Sequence, residues 1–223
     1  YSGAAGIPAV AQQYPSKSIR ILVGFAPGGS TDIVARLIAQ EMTKNVGQQV
    51  VVENRPGAGG NIAAELVSKA APDGYTLHAC TTGVFAIAPF IYSKLPYDPE
   101  KGLTPVTQTG TLPYIIVMHP SLPAKNVREF IAIAKSQPGQ INYASSGVGT
   151  ASHLSAALFA SASGISMTHV PYKGTGNAMS DLLAGQVQFM AESIPQVSQY
   201  LKAGKVRALA MTGKERNNAI ADV

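Results

Sequence analysis

Hydrophobic and polar positions along the chain follow two periods, one typical of buried strands and one typical of amphipathic helices. Residues 19–25 form a nearly continuous apolar run, as expected of a parallel strand that is covered on both faces. Apolar residues then recur at helical spacing over 33–42, and the runs 49–53 and 75–81 predict two further strands. The helix between these two strands begins near Asn61, which we expect to cap it. The resulting order, βαβαβ, predicts a parallel sheet with helices on its faces.

The regular pattern breaks between residues 86 and 113, where five prolines interrupt it. A second alternation of strands and helices begins at residue 114. Within it, Asn126 and Glu129 have the spacing of a capping box, and Gly185 follows a helix at the position of a C-terminal cap. Two such blocks joined by an extended segment predict an α/β protein with two lobes around a cleft.

These blocks divide the chain into four predicted segments. Residues 1–13 are a leader or the remnant of a signal peptide, 14–105 form lobe 1, 106–205 form lobe 2, and 206–223 form a strand that crosses back toward lobe 1. The sequence Ala-Val-Ala at 9–11 has the small-x-small pattern of a signal-peptidase site, which predicts export. A flexible Ala/Gly leader or a cloning remnant is the alternative.

Composition excludes several classes of function. Charged residues make up only 13% of the chain and apolar residues 46%, unlike a disordered or coiled-coil protein. The net charge of +5 comes from scattered Lys and Arg, and Trp is absent, so we expect no nucleic-acid partner. The single cysteine, Cys80, lies in a strand pattern and is expected to be an inert buried thiol. The four histidines lack HxH and HExxH spacing, and we expect no metal and no cofactor.

Two glycine-rich loops have the same local design. The first loop, PGGSTD at 27–32, and the serine loop, SSGVGT at 145–150, each follow a predicted strand and lead into a helix. Such loops direct backbone N–H groups and the positive end of a helix dipole at an anion, and a carboxylate fits this chemistry. Phosphate is the competing ligand, but the chain has no GxxxxGK[ST], and GVGTAS lacks the third glycine of GxGxxG. The alternative is that both loops are ordinary turns.

An enzyme that uses Ser145 or Ser152 with His153 is the rival function. The GxSxG motif is absent, however, and no aspartate is evidently paired with the histidine. Asp32 is a candidate catalytic acid, although its place in the first turn of a helix suits stabilisation of the helix dipole better.

Three further residues have two interpretations each. Glu192 follows a predicted strand at the end that should face the cleft, where it either contacts the ligand or is a solvated charge at the rim. His78 and His169 lie inside strand patterns, and a hydrogen-bonded core histidine is the commoner explanation for both.

Four stretches of the chain resemble a known family: 14–40, 51–77, 141–154 and 170–190. They are similar to the extracytoplasmic solute receptors of tripartite tricarboxylate transporters, which are also called Bug receptors. The resemblance extends from about Tyr14 to the end of the chain, and its motifs occur in the same order.

The resemblance implies a type II periplasmic binding-protein fold and a function of capture rather than catalysis. Such a receptor binds a small carboxylate (a di- or tricarboxylate, an acidic amino acid or an aromatic acid) in the periplasm and delivers it to membrane transporter subunits. In the family the carboxylate is held by the counterparts of the first loop and the serine loop, partly through ordered waters. A sensory protein that presents its ligand to a membrane sensor kinase would use the same cleft and remains an alternative.

The resemblance and the loop positions together give a set of candidate ligand-binding residues, of which Phe85 and Tyr172 would pack the carbon skeleton. The set comprises Phe25, Ala26, Gly28, Gly29, Ser30, Thr31, Asp32, Thr82, Val84, Phe85, Ser145, Gly149, Thr150, His153, Tyr172 and Glu192.

The chain departs from the family pattern in two ways. Val84 and Phe85 replace residues that are often polar, and Glu192 stands where many relatives have Asp. Family members usually continue well past the equivalent of Val223, so we expect the C-terminal segments that complete lobe 1 to be missing.

Overall fold

The computed structural model describes residues 14–213, which form two separate β-sheets with helices packed on them. The smaller sheet has three parallel strands in the order β2-β1-β3: β1 (Ile19–Val23), β2 (Val50–Asn54) and β3 (Thr76–Ala79). The helices of this region are α1 (Ser30–Val46), α2 (Asn61–Ser68) and the short α3 (Ala88–Ile91). The predicted βαβαβ order is confirmed.

The central strand β1 has few exposed side chains because sheet neighbours and helices surround it. Ile21 and Val23 are buried and pack with Ala35 and Ala39 of α1. The continuous apolar run that predicted this strand reflects that position.

The larger sheet has five strands in the order β6-β5-β7-β4-β8. Its strands are β4 (Tyr114–Met118), β5 (Asn142–Ser145), β6 (Thr168–Pro171), β7 (Phe189–Ser193) and β8 (Arg207–Met211). Strand β5 is parallel to β6 and β7, whereas β4 is antiparallel to β7 and β8. Four helices accompany the sheet: α4 (Val127–Ser136), α5 (Ala151–Ser163), α6 (Thr175–Leu183) and α7 (Ile194–Lys202).

Helices cover both faces of this larger sheet. Alternate residues of β4 point to opposite faces, so Ile115 belongs to one core with α6 and α7, while Ile116 belongs to another with α4 and α5. Phe130 of α4 and Phe189 of β7 stack in the second core with their ring centroids 5.0 Å apart.

The predicted boundaries of the lobes stay a prediction, although each sheet lies where its block predicts. Strand β8 falls within the segment 206–223 that was expected to cross back, and it pairs with β4 in the larger sheet. Residues 1–13 and 214–223, including the predicted signal-peptidase site, lie outside the described residues.

Of the two predicted N-terminal helix caps, one is confirmed and the other is wrong. Asn126 caps α4 by accepting a hydrogen bond from the Glu129 amide at 2.9 Å, which confirms the predicted cap, while the Glu129 carboxylate accepts from the Lys125 backbone amide at 2.7 Å rather than from that of Asn126. Asn61 was expected to cap α2, but the cap is Gly60, and Asn61 is already helical. The Asn61 side chain instead accepts a hydrogen bond from the Tyr97 hydroxyl at 2.7 Å. This tertiary partner takes the oxygen that a cap would have used.

The proline-rich segment is also more structured at its start than expected. A π-helical turn, Gly83–Ile87, runs directly into α3, and the chain then has no regular secondary structure over 104–113. Within residues 14–213, no helix has the length and apolarity needed to cross a membrane.

Candidate functional site

A cavity of about 220 Å³ lies where strands from the two sheets end facing one another. Residues 24–25 follow β1, 57–59 follow β2, 146–148 follow β5 and 171–173 lie at the end of β6, and Tyr92 completes the wall. The cavity therefore occupies the carboxyl ends of parallel strands, the usual ligand position in α/β sheets.

The serine loop is held in shape by its own hydrogen bonds. Thr150 caps α5 by accepting from the His153 amide at 3.3 Å, and its hydroxyl donates to the Gly147 carbonyl at 2.7 Å. Gly147 has φ = 143°, a backbone conformation that L side chains rarely adopt. The loop consequently presents Ser146, Gly147 and Val148 to the cavity.

A third glycine-rich loop, which we name the glycine loop (residues 54–60), faces the serine loop across the cavity. A Cβ atom added to Gly59 would lie 2.4 Å from the carbonyl oxygen of Val148, so the two backbones touch only because Gly59 has no side chain. The Tyr92 hydroxyl donates to the same carbonyl at 3.3 Å. These contacts bring the two sheets together on one side of the cavity.

Sequence reasoning treated the glycine loop only as a connection, and it also missed Tyr92 and Lys173. The signal in the loop was available, because NRPGAGG follows a strand and precedes a helix as the first loop does. Lys173 likewise follows β6 at its carboxyl end. Tyr92 carries no comparable signal, since it lies after α3 in a segment without a regular pattern.

The first loop does not reach the cavity wall, and its acidic residue turns inward. The carboxylate of Asp32 is buried and accepts hydrogen bonds from the Gly28 amide at 2.9 Å, from Arg36 at 3.0 Å and from Asn54 at 2.8 Å. Burial acts to raise the pKa of Asp32, but the hydrogen bonds from Arg36, Gly28 and Asn54 outweigh it and lower the pKa below 3.8. Asp32 thus stabilises the loop as an ionised carboxylate.

Glu192 is only 3% exposed, which excludes a solvated rim charge, and it also lies off the cavity wall. Its carboxylate accepts hydrogen bonds from the Thr175 hydroxyl at 2.9 Å and from the Ser193 amide at 2.8 Å. Ser193 Oγ is also 2.7 Å from Ser30 Oγ at the start of α1. The N-termini of α1, α6 and α7 therefore meet at a carboxylate of the protein itself. Burial raises the pKa of Glu192.

Two histidines stack behind the serine loop. The rings of His153 and His169 are parallel, with centroids 4.1 Å apart, and His169 Nε2 lies 2.6 Å from Ser145 Oγ. His153 Nδ1 accepts a hydrogen bond from the Gly149 amide at 3.3 Å. Burial, assisted by the nearby His153, lowers the pKa of His169 to about 4, and burial also lowers the pKa of His153. Both rings are therefore neutral at pH 7.

The expected hydrogen-bonded core histidine is found at His169 but not at His78. His78 Nδ1 is buried and makes no hydrogen bond within residues 14–213, and burial lowers its pKa to about 4. Its place on β3, an edge strand of the smaller sheet, gives the ring no partner among the described residues. Burial raises the pKa of the Cys80 thiol to about 12, as expected of an inert cysteine.

The geometry does not assemble the serine–histidine pair of the rival enzyme hypothesis. Ser152 Oγ donates to the Ala191 carbonyl at 2.6 Å and is not bonded to His153. Ser145 does pair with His169, but its side chain is fully buried, and no carboxylate in the described part of the chain bonds to that imidazole.

Of the predicted site residues, Phe25 and Tyr172 line the cavity. Val84 is fully buried in a small core with Tyr97, and Phe85 is 37% exposed away from the cavity. For the residues that lie outside the wall, a role in ligand binding stays a prediction. They are Ala26, Gly28, Gly29, Ser30, Thr31, Asp32, Thr82, Val84, Phe85, Ser145, Gly149, Thr150, His153 and Glu192.

Comparison with known proteins identifies the family. Residues 34–223 match the model of the tripartite tricarboxylate transporter family receptor. The chain belongs to this family. It is 38% identical to the protein BugT of Bordetella pertussis over 216 residues, which are 96% of this chain and 66% of that relative. It spans 62% of the length of another curated relative, from Pseudomonas, so the chain covers about two thirds of the proteins it matches.

Solved structures of family members have the same fold. The protein Rpa4515 of Rhodopseudomonas palustris, solved with adipate, matches with a TM-score of 0.88 and 37% identity over 91% of this chain and 68% of that one. MatC of the same organism, solved with bound malate, matches with a TM-score of 0.87 and 38% identity over 94% of this chain and 71% of that one. The predicted resemblance and the predicted periplasmic binding-protein fold are confirmed.

Proposed function

We propose that the chain is the ligand-capturing part of an extracytoplasmic receptor for a small carboxylate. The observation that carries the proposal is the cavity between the two sheets, which is walled by backbone from the glycine loop and the serine loop. Gly59 and Gly147 let the backbones of the two loops approach each other, and each loop leads into the N-terminus of a helix, a position that favours an anion. The adipate and malate in the two solved relatives support a carboxylate as that guest.

Lys173 supplies the positive charge for this ligand. It is the charged side chain of the cavity wall in the described part of the chain, and the two neutral histidines behind the serine loop add no charge. Because Lys173 is exposed, its attraction to a carboxylate is worth about 1 kcal/mol and is screened by salt.

The receptor operates in the periplasm and delivers its ligand to the membrane subunits of a tripartite tricarboxylate transporter. The description of the matching family supports this partner, and the fold it shares with periplasmic binding proteins supports the location. Recovery of transporter subunits with the tagged, ligand-loaded protein from solubilised membranes tests the partnership, and their absence under ligand-saturated conditions contradicts it.

Capture takes place without chemical conversion of the ligand. Support comes from Ser145, whose side chain is fully buried, and from Ser152, whose hydroxyl is bonded to a backbone carbonyl. A fluorophosphonate probe should therefore leave the protein unlabelled. Stoichiometric labelling of either serine would contradict this part of the proposal.

A thermal-shift screen of the intact protein tests the carboxylate assignment directly. A ligand at one hundred times its Kd stabilises the folded state by about 2.7 kcal/mol, which raises the melting temperature visibly. We expect stabilisation by at least one organic acid and none by sugars or nucleotides. A response to sugars or nucleotides without a response to any carboxylate would overturn the proposal.

A matched pair of variants adds specificity to the screen. Lys173→Gln should weaken binding of the responding acid about fivefold and flatten its salt dependence. Lys135→Gln removes an exposed lysine in the last turn of α4 that does not line the cavity, and it should leave both the affinity and its salt dependence unchanged. Equal effects of the two variants would contradict the role of Lys173.

A further inference from the structure

Three aromatic side chains meet at the cavity from three separate elements. Phe25 follows β1, Tyr92 follows α3 and Tyr172 follows β6, and all three belong to the cavity wall. Between them the wall is mainly glycine backbone with the apolar side chains of Val148 and Pro171. The cavity therefore combines ring surfaces with flat backbone.

Both tyrosine hydroxyl groups are already committed to partners in the protein. The Tyr172 hydroxyl donates to Asp181 Oδ2 at 2.6 Å, and the Tyr92 hydroxyl donates to the Val148 carbonyl at 3.3 Å. The two tyrosines therefore contact a ligand through the carbon atoms of their rings and do not donate a hydrogen bond to it. Because these bonds also hold the rings in place, little side-chain entropy is lost when a ligand packs against them.

The charge on the wall suits a ligand with one anionic end. Lys173 is its charged side chain among the described residues, and no carboxylate lines it there. An open-chain dicarboxylate would place its second carboxylate among the rings and the apolar side chains of Val148 and Pro171, which is unfavourable for an anion. A monocarboxylate has no such second group.

The size of the cavity limits the ligand further. Its volume of about 220 Å³ is below the range of roughly 300–1,000 Å³ that is typical of sites for drug-sized molecules. A single six-membered ring with a carboxylate is compatible with that space, and aromatic rings pack favourably in offset or edge-to-face contact with Phe and Tyr.

We infer that the ligand is a monocarboxylate with an aromatic ring, whose ring packs among Phe25, Tyr92 and Tyr172 and whose carboxylate lies toward Lys173. This inference rests on the proposed function, because it names the class of carboxylate that the same cavity takes. The inference assigns ligand selectivity to three aromatic residues. Two of them, Phe25 and Tyr92, precede the first strand of the larger sheet in the sequence.

Calorimetric titration of the intact protein with four acids tests the inference. Benzoate should bind at least about tenfold more tightly than cyclohexanecarboxylate, which has the same ring size without aromaticity, and more tightly than adipate or malate. Tighter binding of adipate or malate would overturn the inference and leave the proposed function standing. Equal binding of benzoate and cyclohexanecarboxylate would also overturn it. Binding of none of the four would overturn the inference alone, because the proposed function is tested by the wider screen of carboxylates.

Variants that replace an aromatic ring by an aliphatic side chain test which residues cause the preference for an aromatic ligand. Phe25→Leu should weaken benzoate binding about two- to tenfold and change cyclohexanecarboxylate binding less than twofold. Tyr92→Leu also removes the hydrogen bond to Val148, so it should weaken the binding of both acids. Phe90→Leu is the control, because Phe90 lies two residues before Tyr92 but is 89% exposed and outside the wall. Circular dichroism establishes that each variant is folded. Unchanged benzoate affinity in both folded variants would overturn the inference.

Discussion

The serine loop presents three residues to the cavity, whereas the first loop presents none, although both join a strand to the N-terminus of a helix. In the serine loop two polar side chains bond within the protein, Ser145 to His169 and Thr150 to Gly147, while residues 146–148 line the cavity. In the first loop the backbone is used internally, because the Gly28 amide donates to Asp32.

The difference lies in which groups satisfy the donors of each loop. Asp32 is an acid within the first loop, and it acts as an internal anion for the Gly28 amide, Arg36 and Asn54. The start of α1 then reaches the Glu192 carboxylate through Ser193. A loop that carries or contacts its own carboxylates has less need of a ligand anion, and the serine loop has none.

Replacing one glycine in each loop by alanine is the strongest test of the difference between the serine loop and the first loop. At Gly147 an added Cβ would lie 3.3 Å from the Tyr172 carbonyl oxygen and 3.5 Å from Gly59, so Gly147→Ala should displace the serine loop from its place in the cavity wall. We expect a loss of about 3 kcal/mol, or about a hundredfold in ligand affinity by calorimetry.

Gly28 provides the matched control for this change. It also has a positive φ, 84°, but an added Cβ would have nothing within 4 Å. Gly28→Ala should cost about 1 kcal/mol of stability in urea unfolding and leave affinity unchanged. If Gly28→Ala weakened binding as much as Gly147→Ala, the first loop would be part of the binding surface after all.

Replacement of Asp32 by Asn tests the internal anion of the first loop. Asp32→Asn should lower the free energy of unfolding at pH 7 by about 2 kcal/mol, because it removes the negative charge that strengthens the hydrogen bonds donated by Arg36 and Asn54. The pKa of Asp32 is lowered in the folded state, so its stabilisation is present above pH 3.8 and is lost as pH falls through the folded-state value. The deficit of the variant should shrink accordingly in acid.

The exposed Glu41 on the same helix is the control for Asp32. Glu41→Gln breaks only a surface pair with Lys44 and should change stability by less than about 0.5 kcal/mol. A deficit in Asp32→Asn that is no larger, or that does not depend on pH, would contradict the role of the internal anion.

Glu192→Gln tests the second carboxylate near the first loop. Burial raises the pKa of Glu192, so the folded state holds its proton more tightly than the unfolded state does. The contribution of this group to stability is therefore complete below about pH 4.5 and is lost as pH rises through the folded-state pKa. In urea unfolding, the free energy of unfolding of the variant should increase relative to that of the unmodified protein as pH rises. Parallel pH profiles would show that Glu192 does not titrate in this way.

The smallest expected effect concerns the bridge between Ser30 and Ser193. Ser30→Ala removes a hydroxyl contact of 2.7 Å between the start of α1 and the end of β7, at a cost of about 1 kcal/mol. A double-mutant cycle with Ser193→Ala should give a coupling energy above about 0.5 kcal/mol in urea unfolding. Strict additivity of the two changes would show that the bridge contributes nothing to stability.

The order of strands and helices could be predicted because the burial of each element determines the spacing of apolar residues along it. The run at 19–25 is apolar throughout because β1 is the central strand, and the cap at Asn126 depends on residues only three positions apart. The prediction for Asn61 failed because its partner, Tyr97, lies 36 residues away.

The cavity wall was harder to predict for the same reason. Gly59 and Val148 touch across the two sheets, and nothing in the local pattern of either loop specifies which other loop it will face. The hydrogen bonds that Asp32 accepts could not all be predicted either, since its partner Asn54 lies 22 residues away. Local design predicted two candidate anion-binding loops, but the arrangement of the two sheets decides which loops line the cavity.

The antiparallel pairing of β4 with β8 affects the order in which the larger sheet can be completed. The Tyr114 amide donates to Thr212 Oγ1 at 3.2 Å, and these residues are 98 positions apart. Strand pairs of such large separation close slowly, because the intervening chain must first be brought together. Until residues 207–211 have paired, this hydrogen-bonding edge of β4 is uncovered. A partly folded chain therefore exposes a strand edge on which another chain can pair.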